Sequence, residues 1–305
     1  MRKFLFALCV WMCHQTHAQS CCTASAGGSQ GCSDNPVNGL ATFVGVRYSL
    51  ATDKFHLSSI FGEAYATDYR DVLQDVTIAG SYALKDIIAF QAFIPFAFNQ
   101  RIGTDKQFHS GLGDISFGFT AQAPAIKYKS STHRFYGGFL VRAPTGAFKK
   151  SVDTTGFAPM IQAGFGAWSF APSVEYNLTV KKFVGAVGAT YRYTLLNPDR
   201  LQTGGRMQTW VKGLYVINYK THRFMPSLAA IYEYQQKNRL RSNDVSLSGG
   251  QLFSVEAGFD VRLFEQFGLG CKYWQPAYQQ LARGRLQQNG TFSFQFNYFF
   301  KTKNN

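Results

Sequence analysis

Between Phe253 and Trp274 the chain alternates with a period of two. Phe253, Val255, Ala257, Phe259, Val261 and Leu263 share one parity, and Ser254, Glu256, Gly258, Asp260 and Arg262 lie between them. After Glu265 and Gln266 the pattern resumes, with Phe267, Leu269, Cys271 and Tyr273 set against Gly268, Gly270, Lys272 and Trp274. Successive side chains of a β-strand point to opposite faces, so a period of two predicts strands. The short break between the runs predicts a hairpin. The polar face carries charges of both signs in mid-strand, beside glycines. A soluble antiparallel sandwich also alternates. A transmembrane barrel, however, needs strands of about 9–11 residues that are apolar toward lipid and polar toward a lumen.

The same pattern recurs along the chain. It predicts strands over Thr42–Leu50, Val76–Leu84, Ile88–Phe98, Ile115–Ala123 and Phe135–Val141. It continues through Ala158–Val180, Phe183–Leu195, Thr209–Tyr219 and Pro226–Tyr234, then the opening hairpin, and ends with Thr291–Phe300. Turns fall at Lys85-Asp86, near Ser130, and at Lys181-Lys182 and Thr221-His222. Long loops are expected over Ala51–Arg70, Asn99–Leu112, Pro144–Phe157, Asn197–Gly205, Lys237–Gly249 and Gln279–Asn289. Short and long connections thus alternate, as in outer-membrane barrels. The predicted fold is all-β: a transmembrane antiparallel up-and-down β-barrel of about twelve strands. Fourteen would require Phe55–Tyr65 as a strand and a break at Gly166.

Arg2 and Lys3, the apolar run Phe4–Met12 and the sequence Thr16-His17-Ala18 form a secretory signal expected to be cleaved after Ala18. Residues 19–40 are expected to be a flexible Cys/Gly/Ser-rich periplasmic tail, 41–301 the barrel and 302–305 a C-terminal tail. In the first tail Cys21, Cys22 and Cys32 are candidates for a disulfide, for lipidation at Cys21, or for a soft-metal site. The net charge of +14 is scattered over turns and loops rather than clustered on a helical pattern, which argues against nucleic acid as a partner. No run of about 20 apolar residues occurs, so no transmembrane helix is expected.

Three short motifs carry a resemblance. Gly111-Leu112-Gly113-Asp114 opens one predicted strand, Pro144-Thr145-Gly146-Ala147-Phe148 follows the next, and Gln162-Ala163-Gly164-Phe165-Gly166 comes after it. In this order they resemble the outer-membrane barrel family of the meta-pathway phenol-degradation type, itself similar to long-chain fatty-acid transporters. The resemblance implies passage of hydrophobic or aromatic compounds. The residues have a plainer reading too: Pro144, Thr145, Gly146, Gly113 and Asp114 suit strand exits and entries.

No catalytic constellation is visible. His56, His109, His133 and His222 are far apart and lack ligand spacing, and His109-Ser110 lacks an identifiable base and orienting acid. Neither an enzyme nor a cofactor is expected. The predicted lumen offers more: Arg47, Glu175, Arg192, Lys212, Glu233, Glu256, Asp260, Arg262 and Lys272 take the polar parity. Buried charges must be paired or wet, so this set fits either a water-filled pore or an ion-paired plug. The expectation is a porin-like channel or transporter in the outer membrane of a Gram-negative bacterium, passing small hydrophobic or aromatic solutes. Alternatives are a non-conducting structural barrel, or one whose Cys-rich tail binds metal or docks a periplasmic partner. Expected partners are outer-membrane lipid, the barrel-assembly machinery, and lipopolysaccharide facing Lys149, Lys150, Arg200, Lys237, Arg239, Arg241, Arg283 and Arg285.

Overall fold

The computed structural model describes residues 40–56, 68–85, 87–103, 106–148, 162–245 and 248–300. Twelve antiparallel strands close into a barrel. They are β1 (Phe43–His56), β2 (Asp68–Leu84), β3 (Ile88–Ile102), β4 in three pieces (Lys106–Leu112, Ser116–Gln122, Ile126–Tyr128), β5 (Ser131–Arg142) and β6 (Ser169–Val180). The circuit continues with β7 (Phe183–Thr194), β8 (Arg206–Tyr215, resuming as Ile217–Tyr219), β9 (His222–Gln235), β10 (Gly250–Leu263), β11 (Phe267–Leu281) and β12 (Leu286–Phe299). Each strand pairs with its neighbours in sequence, and β1 pairs with β12 from Phe43↔Phe299 onward, which leaves no open edge. The number of strands is even, so the chain enters and leaves the barrel at the same end, the end of the short turns.

The alternation sets the two faces. On β1, Val46 is 45% exposed and its neighbour Arg47 only 8%. Cross-strand partners share a face, so the register carries this parity round the barrel. Val46, Ile78, Ile94, Phe296 and Leu269 lie on the outside, while Arg47, Thr77, Pro95 and Gln295 lie on the inside. At the long-loop end the outer face changes to tyrosine paired with glutamine. Tyr48 donates to Gln74 (3.2 Å), Tyr232 to Gln251 (3.2 Å), Tyr273 to Gln275 (2.6 Å) and Tyr278 to Gln280 (3.4 Å). At the short-turn end Phe267, Tyr298 and Phe300 pack edge to ring. An apolar band between two aromatic girdles is what a lipid-spanning barrel presents. Cys271 takes part in no disulfide among the described residues and lies on the outer face.

Several expected loops are corrected. Ala51–His56 and Asp68–Arg70 belong to β1 and β2 and remain paired as far as His56↔Asp68. Lys106–Leu112 pairs with β3 rather than forming a polar loop. Gln279–Asn289 is mostly strand, joined through the single 3₁₀ turn Ala282–Gly284. Conversely, the tall strand expected from Ala158 begins only at Ser169, and residues 162–168 are irregular. Leu201–Gln202, Arg239–Leu240 and Asn243–Asp244 add a small three-stranded sheet beyond the long-loop end. Lys149, Lys150 and the cysteines Cys21, Cys22 and Cys32 lie outside the described residues.

Candidate functional site

The inner wall is built from alternate residues of every strand, and three assemblies stand on it. The first gathers the residues of the three short Gly-containing motifs. At the break between Leu112 and Ser116, Gly113 donates its backbone N–H to Pro95 O at 2.7 Å. The Asp114 carboxylate then accepts the N–H of Gly146 (3.0 Å) and of Phe165 (2.8 Å). Thr145 Oγ1 accepts the Ile115 N–H at 2.9 Å, and Gly164 donates to Ala147 O at 3.1 Å. The glycines are required by close approach. A Cβ on Gly164 would stand 2.5 Å from the Gly146 carbonyl carbon, and one on Gly146 2.6 Å from the Gly164 Cα. Three motifs, separate in sequence, therefore form one backbone knot that ties residues 143–148 and 162–166 to the wall. Pro144 supplies the exit from β5. Gly164→Ala is expected to cost about 1–3 kcal/mol by overpacking, read as a lower urea midpoint of the detergent-solubilised barrel. An unchanged midpoint would contradict this packing.

The second assembly lies on β1–β3. Arg101 Nε and Nη2 donate to Asp71 Oδ1 and Oδ2 at 2.7 and 2.8 Å, and the guanidinium lies 4.6 Å from the Tyr69 ring centroid. Below it Thr77 Oγ1 donates to Asp75 at 2.7 Å, with Arg47 3.9 Å from the same oxygen. Arg47 is the one sequence-predicted residue in this group, and its direct partner on β12 is Gln295. Sequence reasoning missed Asp71, Asp75 and Arg101. Asp71 and Arg101 lie in or beside segments read as loops, although extending the parity of β2 and β3 would have included all three.

The third assembly spans β6–β12 and holds the other eight predicted residues. Glu175, Lys212 and Glu233 are buried, whereas Arg192, Glu256, Asp260, Arg262 and Lys272 are partly exposed; all take the inward parity. Glu233 pairs with Arg206 and accepts Gln208 Nε2 at 3.0 Å. Trp210 Nε1 donates to Glu175 Oε2 at 3.2 Å. Gln295 donates to Asp260 at 3.4 Å, and Arg262 stands 4.1 Å from the Phe299 ring while donating to Glu265 O at 2.8 Å. Between these polar groups Trp210, Ile231, Leu252, Trp274 and Leu281 form a buried apolar cluster. Arg206 and Trp210 were missed, although they share the parity of Lys212, whereas Trp274 was placed on the polar face with Lys272 without being counted among the lumen-facing candidates. Within this assembly Arg192 faces Arg206 and Arg223 faces Arg262, both like-charge pairs. Such pairs are unfavourable unless other charges answer them. Among the described residues no cluster of three or more metal-ligating side chains occurs. His133 hydrogen-bonds Ser131 (3.0 Å) and Tyr176 (2.7 Å) on the outer face.

No protein-family model and no curated protein matches this chain, so the resemblance to phenol-degradation barrels rests on its motifs alone. Solved structures do match. The COG4313 outer membrane channel from Pseudomonas putida F1 is 11% identical with a TM-score of 0.65, over 88% of this chain and 98% of that one. The NanC porin is 12% identical with a TM-score of 0.46, over 85% and 100%, and the KdgM porin is 8% identical with a TM-score of 0.42, over 84% and 99%. At such identities the likeness is one of architecture: the chain has the fold of an outer-membrane β-barrel.

Proposed function

We propose that the protein is a passive outer-membrane channel for small solutes with apolar or aromatic bodies. The observation that carries this reading is the inner wall. It combines partly exposed charged groups (Arg192, Glu256, Lys272) with an apolar inward cluster around Trp210 and Trp274. A wall built only for packing gains little from half-wet charges, since each must be paired or hydrated. The architectural likeness to an outer membrane channel supports the same reading. The expected sidedness puts the short turns in the periplasm. Arg200, Lys237, Arg239, Arg241, Arg283 and Arg285 then stand at the cell surface, where arginine forks suit lipopolysaccharide phosphates.

A second reading, a non-conducting structural barrel, draws on the buried inward side chains Leu252, Asn177 and Ser254. Planar-bilayer recording of the refolded mature protein separates the two. Discrete single-channel steps in potassium chloride are expected. Their absence from barrels shown to be inserted would favour the structural reading.

A further inference from the structure

The lysines and arginines of the barrel strands take the inward parity at every described position but three. The exceptions are Lys54, Arg70 and Lys106, which share the outer face with Val46 and Ile78. They also share one row. Gln287 stands opposite Lys54, Lys54 opposite Arg70, Arg70 opposite Ile102, and Ile102 opposite Lys106. Adjacent strands lie about 4.8 Å apart, so the three cations span about 14 Å of the wall of β1–β4. Lys54 and Lys106 are exposed. Arg70 is half-buried, and its Nε has no hydrogen-bond partner among the described residues.

The height of this row decides what it meets. Below it lies the girdle pair of Tyr48 and Gln74, and Gln74 stands opposite Leu50. Lys54 comes four residues after Leu50 on the same strand. At about 3.3 Å per residue and a tilt of about 40°, that places it about 10 Å higher. The headgroup layer of a bilayer is about 5–8 Å deep on each side. The row therefore stands at the outer margin of the headgroups, on the face turned away from the lumen. Lys54 and Arg70 are direct cross-strand partners, and like charges so placed repel. One acidic residue, Asp68, takes the same parity a row higher, opposite His56, which leaves three cations to one carboxylate. An anion outside the wall answers this excess. Phosphate suits it, because a guanidinium fork binds it bidentately and lysines add point charges. A row of this length fits a molecule with several phosphates better than a single ion.

We propose that Lys54, Arg70 and Lys106 form a docking ladder for the phosphates of lipopolysaccharide on the outer face of β1–β4. The same face continues downward through Leu50, Val76 and Phe96. One lipid can thus lay its acyl chains on the apolar band while its phosphates reach the ladder, which a free phosphate cannot do. The ladder belongs to the wall and is separate from the loop arginines. It rests on the proposed orientation, with the long loops outside, and not on conduction.

The test titrates bisphosphorylated lipid A into the refolded mature protein in detergent and follows retention by native mass spectrometry. Dephosphorylated lipid A and phosphatidylglycerol serve as the comparison lipids, and inorganic phosphate as the competitor. Saturable retention of the bisphosphorylated form is expected, well above either comparison lipid and undiminished by inorganic phosphate. The triple variant Lys54→Gln/Arg70→Gln/Lys106→Gln should weaken it by at least about tenfold, the loss of one or more hydrogen bonds between charged groups. The charge-matched variant Lys181→Gln/Lys182→Gln/Lys220→Gln, at exposed turns of the opposite end, should leave it unchanged. Heat-modifiable migration on gels verifies that each variant is folded. Lys54→Gln/Lys106→Gln, at two exposed positions, carries the test if the change at Arg70 blocks folding. Equal retention by parent and folded ladder variants would overturn the proposal. So would equal retention of the dephosphorylated lipid or of phosphatidylglycerol, and displacement by inorganic phosphate would assign the cations to the free ion instead. Loss of selective retention with long loops labelled outside would remove the ladder and keep the orientation. Short turns labelled outside would overturn the orientation and the lipopolysaccharide partner together.

Discussion

Arg101→Leu is expected to destabilise the barrel by about 3–5 kcal/mol, because it leaves the Asp71 carboxylate buried without its partner. Both side chains are almost sealed, at 10% and 7% exposure, and both carboxylate oxygens are engaged by one guanidinium. The Tyr69 ring on the other face of Arg101 limits repair by water. The double variant Asp71→Leu/Arg101→Leu should recover most of the loss, since replacing both members of a buried pair is often neutral. Urea unfolding of detergent-solubilised protein gives both values. A single variant as stable as the parent would mean that solvent reaches this pair freely. A double variant no better than the single would show that the pair is not an isolated unit.

Val255→Arg is expected to cost more than about 1 kcal/mol, the depth-dependent penalty of a basic side chain on a lipid-facing wall, which reaches about 2–4 kcal/mol at the midplane. Val255 lies 43% exposed on the outer face of β10, between Phe253 and Phe259 on the same face. The control must sit on the inner face. Ser254 is unsuitable because it is fully buried and has no room for a longer side chain. Glu256→Lys is the better choice, at a partly exposed inward position between Ala229 and Trp274. It should cost well under half as much as Val255→Arg. Equal costs at 255 and 256 in lipid vesicles would mean that the two faces do not differ in solvent.

The parity of every barrel strand was legible in the sequence, but the strand ends were not. The physical reason lies in what generates the pattern. Alternation follows from lipid on one side and lumen on the other, not from hydrogen bonding. Above the Tyr–Gln girdle the outer face needs no apolar residues, so Lys54 and Lys106 disguise strands that remain paired. The opposite error arose over residues 162–168, the described part of the segment expected to begin the strand at Ala158. That segment is apolar and Gly-rich, and its described part folds onto Asp114 through backbone contacts that carry no periodicity. The motifs around Gly113, Gly146 and Gly164 could be seen in sequence as short words. That they meet in one knot depends on the register of β4 with β5, fixed across Ser116↔Arg142. The inward charges followed from parity, whereas their partners on adjacent strands required the register.

The central claim is that this barrel crosses an outer membrane with its long loops outside. Impermeant thiol labelling of intact cells tests it directly, with the native cysteines replaced by serine and one cysteine introduced at a time. Lys237 is exposed beyond the long-loop end, and Lys182 is exposed in the turn between β6 and β7. Lys237→Cys is expected to label on intact cells, and Lys182→Cys only after the outer membrane is permeabilised. Labelling of Lys182→Cys but not Lys237→Cys on intact cells would reverse the orientation, and equal labelling of both would contradict a membrane-spanning barrel.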